Sequence, residues 1–353
     1  MQAVAIMGLL LLVVNLTYWL WLLISIHRIP DTIPYSGSGR SKSLIIVAHN
    51  DIHNLQKNLD AWRAQDAHNL ELILANDGSS DGTEHWLRSL SGINYMNLKK
   101  EGPGKKHSLA KAIEASGGDQ IILTDSDCRP ASTAWIGLMS GWLDNLKVDF
   151  FPGYAPLKKT GTWLSRLARF ETVVTALQYL SWASRGQPYM GVGRNIIYRK
   201  TVLADYLEKS QANIASGDDD LFIQNIADQA RCTVNLDPRT FVYSSPPATW
   251  SEWLQQKARH TTTSYRYKPF IQAVLAIFAL SQILWPLSLG LSATIAFVII
   301  LGRYTVLMIA GKKVLDKLDA ADLWIYWPLL DICLSIYYLI LFPLSLFRNR
   351  KKW

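Results

Sequence analysis

Cysteine is scarce in this chain. Cys128, Cys232 and Cys333 are the three in 353 residues, widely spaced and one of them inside an apolar stretch, so neither a disulfide framework nor a zinc site follows from them. Charge is missing altogether from Ala3 to Ile26. At 1.5 Å rise per residue such a run is long enough to cross a hydrocarbon core of about 30 Å. The run also lacks the basic leader and small-residue cleavage site of a signal peptide, ending instead in Trp19, Trp21, His27 and Arg28, which argues for an uncleaved anchor. The formal net charge of +8 is not laid out as an aromatic-interleaved basic stripe. Its cations cluster beside hydrophobic segments, which favours anionic lipid over nucleic acid as their partner.

What is present divides by hydropathy. The aromatic pair followed by Arg28 resembles an interfacial belt with the positive side towards residue 28, which puts the polar middle of the chain in the cytoplasm. A second apolar block, Phe270 to about Ala310, is too long for one crossing and is broken by Pro286 and Gly290, so two helices are expected. Lys312, Lys313 and Lys317 then mark a cytoplasmic loop. A third stretch, Leu323 to Phe347, contains Asp331, Pro328 and Pro343. A full crossing there would leave Arg348-Asn349-Arg350-Lys351-Lys352 outside, against the positive-inside rule, so either this stretch is re-entrant or interfacial or the preceding block does not cross twice. The expected layout is an anchor at 1–27, a soluble domain at 40–245, an interfacial helix at 246–268 and a membrane region at 269–353 with two or three hydrophobic segments and a basic tail.

Between about Ser43 and Tyr243 the pattern is strand, polar turn, helix, repeated. Strands are expected at Leu44–Ala48, Leu70–Ala75, Ile93–Leu98 and Ile121–Thr124. Helices are expected through Leu55, Leu59 and Trp62, from Thr83 or Glu84, and over Leu109–Ala115. This alternation implies an α/β domain with a mostly parallel sheet covered on both faces. Ligands in such sheets bind beyond the carboxyl ends of the strands, where His49-Asn50-Asp51, Asp77 and Asp125 to Asp127 all fall.

Each motif has a bland reading beside a chemical one. Asn76 to Thr83 is rich in turn formers for ordinary backbone reasons, yet a carboxylate such as Asp77 at a strand end can accept hydrogen bonds from a base or ribose. Asp125-Ser126-Asp127 is either a solvated turn before Pro130 or, if the chain stays extended, a same-face pair of carboxylates able to hold one Mg²⁺ or Mn²⁺ on a diphosphate. Gly102-Pro103-Gly104-Lys105-Lys106-His107 is equally a surface loop or a phosphate cradle before a helix. Gly217-Asp218-Asp219-Asp220 opens a helix, where acidic residues suit the macrodipole, but a carboxylate of raised pKa there could also serve as a base. Gln256-Lys257-Ala258-Arg259-His260 is either an interfacial helix with snorkelling cations or a source of Arg259 for neutralising diphosphate charge. Thr162 to Ala183 reads as a core helix or an interfacial one over 160–184. Gly191-Val192-Gly193-Arg194-Asn195 lacks the third glycine and strand context of a dinucleotide fingerprint, and that reading is rejected.

Taken together these motifs resemble a membrane-anchored family 2 glycosyltransferase with the GT-A fold, related to cellulose, chitin and hyaluronan synthases and to ceramide glucosyltransferases. The resemblance covers roughly residues 43 to 265. It implies that Ala48 to Asp51, with Ala48, Asn50 and Asp51, and Asp77 bind the nucleoside, and that Asp125 and Asp127 are the DxD pair for nucleotide diphosphate and metal; Lys105, from the reading of the basic loop itself, is the candidate beside the phosphates. Gly191, Gly193 and Asn195 fall on the loop near donor sugar and acceptor, and Gln256, Arg259 and His260 on the QxxRW motif. Counting back from Leu221 makes Asp218 the base, while matching the Gly-Asp-Asp string makes it Asp219; the count is favoured. His260 stands where processive synthases carry Trp. The implied activity is inverting, metal-dependent transfer, with Mg²⁺ or Mn²⁺, from a nucleotide-sugar, expected to be a UDP-sugar, to a lipid or lipid-linked glycan at the cytoplasmic face of a bacterial inner membrane. The alternatives are a processive polysaccharide synthase and a catalytically inactive membrane scaffold.

Overall fold

The computed structural model describes residues 2–34, 37–101, 104–203, 218–264 and 266–347; the side chains of 218–219, 259–263 and 342–347 lie outside that description. The chain forms two compact units. One is built from Pro30–Lys158 and Trp182–Ser245, the other from Met1–Ile29, Lys159–Ser181 and Pro246–Arg350.

The first unit is an α/β domain. Its strands β1 (Lys42–Ala48), β2 (Leu70–Asp77), β3 (Asn94–Leu98) and β4 (Gln120–Asp125) lie where the apolar runs place them, each within two residues of its expected ends. Among the described residues they form a six-stranded sheet of order β3-β2-β1-β4-β7-β6, with β6 at Phe150–Pro152 and β7 at Ile196–Arg199. The pairs β1–β2, β1–β4 and β2–β3 are parallel, whereas β7 runs antiparallel to both β4 and β6. Register aligns Ala48 with Asn76 and Val47 with Asp125, so three carboxyl ends finish side by side.

Alternation along the strands covers both faces. Leu44, Ile46, Leu74 and Ile122 pack with Leu55, Leu59 and Trp62 of α2 (Ile52–Arg63) and with Trp135, Met139 and Leu143 of α5 (Trp135–Asn145). Ile45, Val47, Ile73 and Ile121 pack instead with Leu109, Ala112 and Ile113 of α4 (Lys106–Ala115) and with Ile223 of α7 (Asp218–Ile226). A strand with both faces buried reads as a continuous apolar run, which is why β1 and β4 are legible. The short α3 (Thr83–Ser89) completes the β2–β3 crossover. A separate two-stranded ribbon pairs β5 (Arg129–Pro130) with β8 (Val242–Tyr243).

The second unit is helical. Among the described residues four segments are long and apolar enough to cross a membrane: Gln2–Arg28, Pro269–Gly290, Ala293–Lys317 and Ala321–Leu341. They contain α1 (Gln2–Arg28), α9 (Pro269–Leu284), α10 (Ala293–Lys317) and the first part of α11 (Trp327–Phe347). The expected break at Pro286 and Gly290 is a 3-10 segment, Trp285–Gly290. The last segment opens with a second 3-10 turn, Ala321–Tyr326.

Asp331, which in sequence weighs against a crossing, is fully buried and paired. Arg303 of α10 donates to its Oδ2 at 2.8 Å and Oδ1 at 3.1 Å, and Gln282 of α9 donates to Oδ1 at 2.9 Å. The other N–H arm of Arg303 reaches Asn15 Oδ1 at 2.7 Å, and Asn15 and Trp19 of α1 each donate to Gln282 Oε1 at 3.1 Å. The N-terminal helix is therefore a member of the helical bundle. In the same unit, α6 (Trp163–Ala183) bonds Arg169 to Asp322 at 2.6 and 2.7 Å. Its Glu171 pairs with Lys257 of α8 (Trp250–Ser264). Among the described residues, the side chains of α6 lie mostly buried, as a core helix requires.

Candidate functional site

The crevice starts at the ends of β1 and β2. Asp77 is 2% exposed and accepts from Ser108 Oγ and Lys100 Nζ, each at 2.5 Å. Both of its carboxylate oxygens are thus engaged from within the protein, so Asp77 ties the β3–α4 connection and α4 to the strand ends. Gly78 has φ +66°, and a Cβ there would lie 2.8 Å from the Lys100 amide nitrogen; only glycine admits that approach. The two turns are laced together. The Asn50 amide donates to Ser79 Oγ at 2.9 Å, its side-chain oxygen accepts from the Ser80 amide at 2.7 Å, and Asp81 accepts from the Ile52 amide at 2.9 Å. Ala48 is buried. Asp51 accepts from Asn54 at 2.8 Å and from Ser126 Oγ, which joins the β1 turn to the acidic pair.

Asp125 and Asp127 do converge, but by a turn and not by the alternation of an extended strand. The strand stops at Asp125, and the Cys128 amide donates to the Asp125 carbonyl at 3.1 Å, the closure of a β-turn. The result brings ligand atoms of Asp125, Asp127 and Cys128 all within 4.8 Å of one another. Burial, then the neighbouring Asp125 and Asp51 charges, raise the Asp127 pKa, against the pull of the Cys128 hydrogen bond and Arg194. Burial also pushes the Cys128 thiol far up. It stays a neutral S–H that donates to Asp127 Oδ1 at 3.3 Å. The usable donors are therefore two carboxylates, a hard-oxygen set with room for further ligands that fits Mg²⁺ or Mn²⁺ and not a thiolate-seeking ion. Lys105 pairs with Asp125, bringing a cation from the basic loop to the same place.

The remaining expected residues are distributed as follows. Gly102 and Pro103 lie outside the described residues, while His107 pairs with Glu101 at 2.9 Å. Gly191 is buried, and a Cβ on it would meet Ile223 Cδ1 at 2.6 Å. Gly193 sits in the turn that follows. Asn195 is wholly buried: its oxygen accepts from Trp135 Nε1 at 3.0 Å, and its amide donates to the Tyr154 and Thr240 carbonyls at 2.7 and 2.9 Å. Its side chain therefore fixes this loop from beneath. Asp218 and Asp219 begin α7, with side chains outside the description, and Gly217 lies outside it entirely. Gln256 is exposed on α8, which also carries the backbone of Arg259 and His260; these three belong to the helical unit. Sequence reasoning passed over Ser126, Ser108, Lys100 and Arg194. Lys100 and Ser108 flank the basic loop it did single out, and Ser126 is the middle residue of the acidic pair.

Residues 43–207 match the family model described as Glycosyl transferase family 2. A curated relative, "Probable glycosyltransferase YdaM" of Bacillus subtilis (strain 168), is 26% identical over 236 residues, 62% of this chain. The chain spans about half, 53%, of that relative's length. Among solved structures, the mannosyltransferase PcManGT from Pyrobaculum calidifontis, determined with GDP-Man and Mn²⁺, superposes with TM-score 0.63 at 16% identity over 98% of both chains. A weaker likeness, TM-score 0.46 at 16% identity over 86% of this chain and 91% of the other, is to S. aureus TarS 1-349 with UDP-GlcNAc. The fold is the GT-A fold, a central mixed sheet flanked by helices with apolar helices at both ends of the chain. Family model and relative thus agree in what residues 43–207 are similar to, the family 2 glycosyltransferases.

Proposed function

We propose that this chain is an inverting glycosyltransferase that moves a sugar from a nucleotide-sugar to a lipid or lipid-linked glycan hydroxyl at a membrane surface. The observation that carries the reading is the meeting of Asp125, Asp127 and Lys105 beside Asp51 and Asp77, at the carboxyl ends of three adjacent parallel strands. The family match adds the reaction class, and the proteins it is similar to bring the donor class. A UDP-sugar is the expected donor; the neighbour solved with GDP-Man makes a GDP-sugar the competitor to test.

Asp125 and Asp127 would hold a Mg²⁺ or Mn²⁺ ion, which when bound supplies positive charge beside the departing diphosphate. Lys105 adds a cation on the same side, and Arg259 of the QxxRH helix is proposed to assist that neutralisation. Asp218, with Asp219 as its competitor, takes the proton from the acceptor hydroxyl. Direct displacement by that hydroxyl inverts the anomeric carbon without a nucleophilic side chain. The cytoplasmic face of a bacterial inner membrane is the proposed location, from the basic residues after the first helix.

The test is release of nucleotide diphosphate by the purified full chain in detergent, with Mn²⁺, a panel of UDP- and GDP-sugars and a membrane lipid extract. Release with one donor that Asp127→Asn and Asp218→Asn both abolish is expected. An Asp127→Asn variant that keeps most of its activity would falsify the metal assignment.

A further inference from the structure

Beside the acidic pair, the β5–β8 ribbon frames a cavity of about 470 Å³. That is within the range of small-molecule sites. Arg129, Lys158 and Arg239 line it, with Ser132, Pro238 and Tyr243 among the wall residues. Charge there is unbalanced. Arg239 is neutralised by Asp237, with Arg239 Nη2 at 2.6 Å from its carboxylate. Neither Arg129 nor Lys158 has a carboxylate partner among the described residues, and Arg129 spends one N–H on the Lys57 carbonyl at 3.4 Å. Half-burial, then the charges of Lys57 and Arg129, hold the Lys158 ammonium below its usual pKa, against the opposing pull of Asp127. Arg129 and Lys158 thus line the cavity with no carboxylate paired to either among the described residues, an arrangement that an anion relieves.

The cavity also communicates with the acidic pair. The Lys158 amide donates to the Ser244 carbonyl at 2.9 Å, and Ser244 Oγ accepts from Arg194, whose charge acts on Asp127. Lys105 pairs with Asp125, and the charge of Arg194 acts on Asp127.

We propose that this cavity receives the phosphate group of a phosphate-bearing acceptor, a mono- or diester gripped by Arg129 and Lys158. Calling the ligand an acceptor rests on the transfer reading above; anion binding does not. Lysine and arginine together suit a phosphate, as a point charge and a planar fork. The Pro130, Ala131 and Pro238 walls give the ester carbon an apolar surface, which a free phosphate ion would not use.

The test is calorimetric titration of the full chain in zwitterionic-lipid nanodiscs with hexyl phosphate, hexanol and inorganic phosphate. Hexyl phosphate is expected to bind at least tenfold tighter than either of the others. The double substitution Arg129→Ala/Lys158→Ala is expected to weaken that binding at least tenfold and to leave nucleoside diphosphate binding unchanged in the same sample, which reports that the domain is folded. The charge-keeping pair Arg129→Lys/Lys158→Arg should retain most of the affinity. Equal binding of hexyl phosphate and hexanol, or a double-alanine variant that binds as the wild type does, overturns the proposal. Inorganic phosphate binding as tightly as the ester also overturns it, in favour of a free-ion site. If the wild type releases nucleotide diphosphate from no donor, the transfer reading falls and the acceptor role with it, while charge-dependent ester binding still upholds the cavity as an anion site.

Discussion

Removing one charge from the buried pair in the helical unit should be far more damaging than removing both. Arg303 and Asp331 have fully buried side chains. Arg303 makes three hydrogen bonds, to Asn15 at 2.7 Å and to the two Asp331 oxygens at 2.8 and 3.1 Å, and its guanidinium lies 4.5 Å from the Trp285 ring centre. Asp331→Asn preserves the shape and an acceptor for Gln282, but leaves the guanidinium without a counter-charge. Breaking such a pair in a protein interior costs roughly 3–5 kcal/mol. Single interhelical hydrogen bonds in membrane bundles average only about 0.6 kcal/mol, because the separated helices also find partners. The charge, and not the bond count, therefore sets the size, and the low end of about 3 kcal/mol is the expected cost. At roughly 2–4 °C per kcal/mol this lowers Tm by about 6–12 °C.

The assay is thermal unfolding in one detergent at one scan rate, followed by tryptophan fluorescence. Arg303→Met should fall by a similar amount, since it strands the Asp331 carboxylate instead. The double substitution Arg303→Met/Asp331→Asn should recover more than half of either loss, because no uncompensated charge is left. Additive losses in the double variant, or single variants within a degree of wild type, would refute the reasoning and make this pair incidental to the bundle.

Three further outcomes are expected. For Asp127, the raised folded pKa means that its proton stabilises the folded state fully below the ordinary value of 3.8, and that this contribution is lost as pH rises through the folded value. Metal-free Asp127→Asn should therefore melt above wild type at pH 7.5, the gap closing towards pH 4; equal Tm values at pH 7.5 would count against the buried-charge account. Asp237 behaves oppositely: burial pushes its pKa up, but bonds from the Arg239 side chain, the Ile33 amide and the Arg239 amide hold it below 3.8. Its stabilisation is present above that ordinary value and disappears as pH falls through the lower folded one. Asp237→Ala, which frees the Ile33 amide now held at 3.0 Å, should cost about 2–3 kcal/mol at pH 7, measured by denaturant titration of the wild type and variant, and less at low pH. In the bundle, a Cβ on Gly8 would lie 2.3 Å from the Ser288 amide nitrogen, whereas one on Gly302 would meet nothing within 4 Å. Gly8→Ala should lose about 1–3 kcal/mol and Gly302→Ala be neutral or up to about 1 kcal/mol stabilising; similar Tm values for the two would contradict the close packing of α1.

How much of this was legible in sequence follows from where each interaction is local. The central strands β1 and β4 announce themselves because both faces are buried, so Leu44–Ala48 and Ile121–Leu123 are unbroken apolar runs with polar residues where each strand ends, whereas β3 is an edge strand with no buried residue. The break between the second and third apolar segments is equally local, since Pro286 and Gly290 act on their own backbone. β6 and β7 were missed: Phe150-Phe151-Pro152 and Ile196-Ile197 are too short to show a period, and their antiparallel pairing is fixed by partners across the sheet. The ribbon that frames the cationic cavity is shorter still, two residues from each of two distant segments. Asp331 reads in sequence as one of the features set against a crossing, because its partner Arg303 lies 28 positions away on a different helix. The acidic pair shows the limit most clearly. Its residues were readable, but the reason assigned to their convergence, an extended strand, was wrong in kind. The turn that brings Asp125 and Asp127 together buries Ser126 between them and turns its hydroxyl to Asp51. The middle residue of that triplet is thus what binds two strand ends into one site, and Ser126→Ala should loosen the Asp51 turn without removing a single carboxylate.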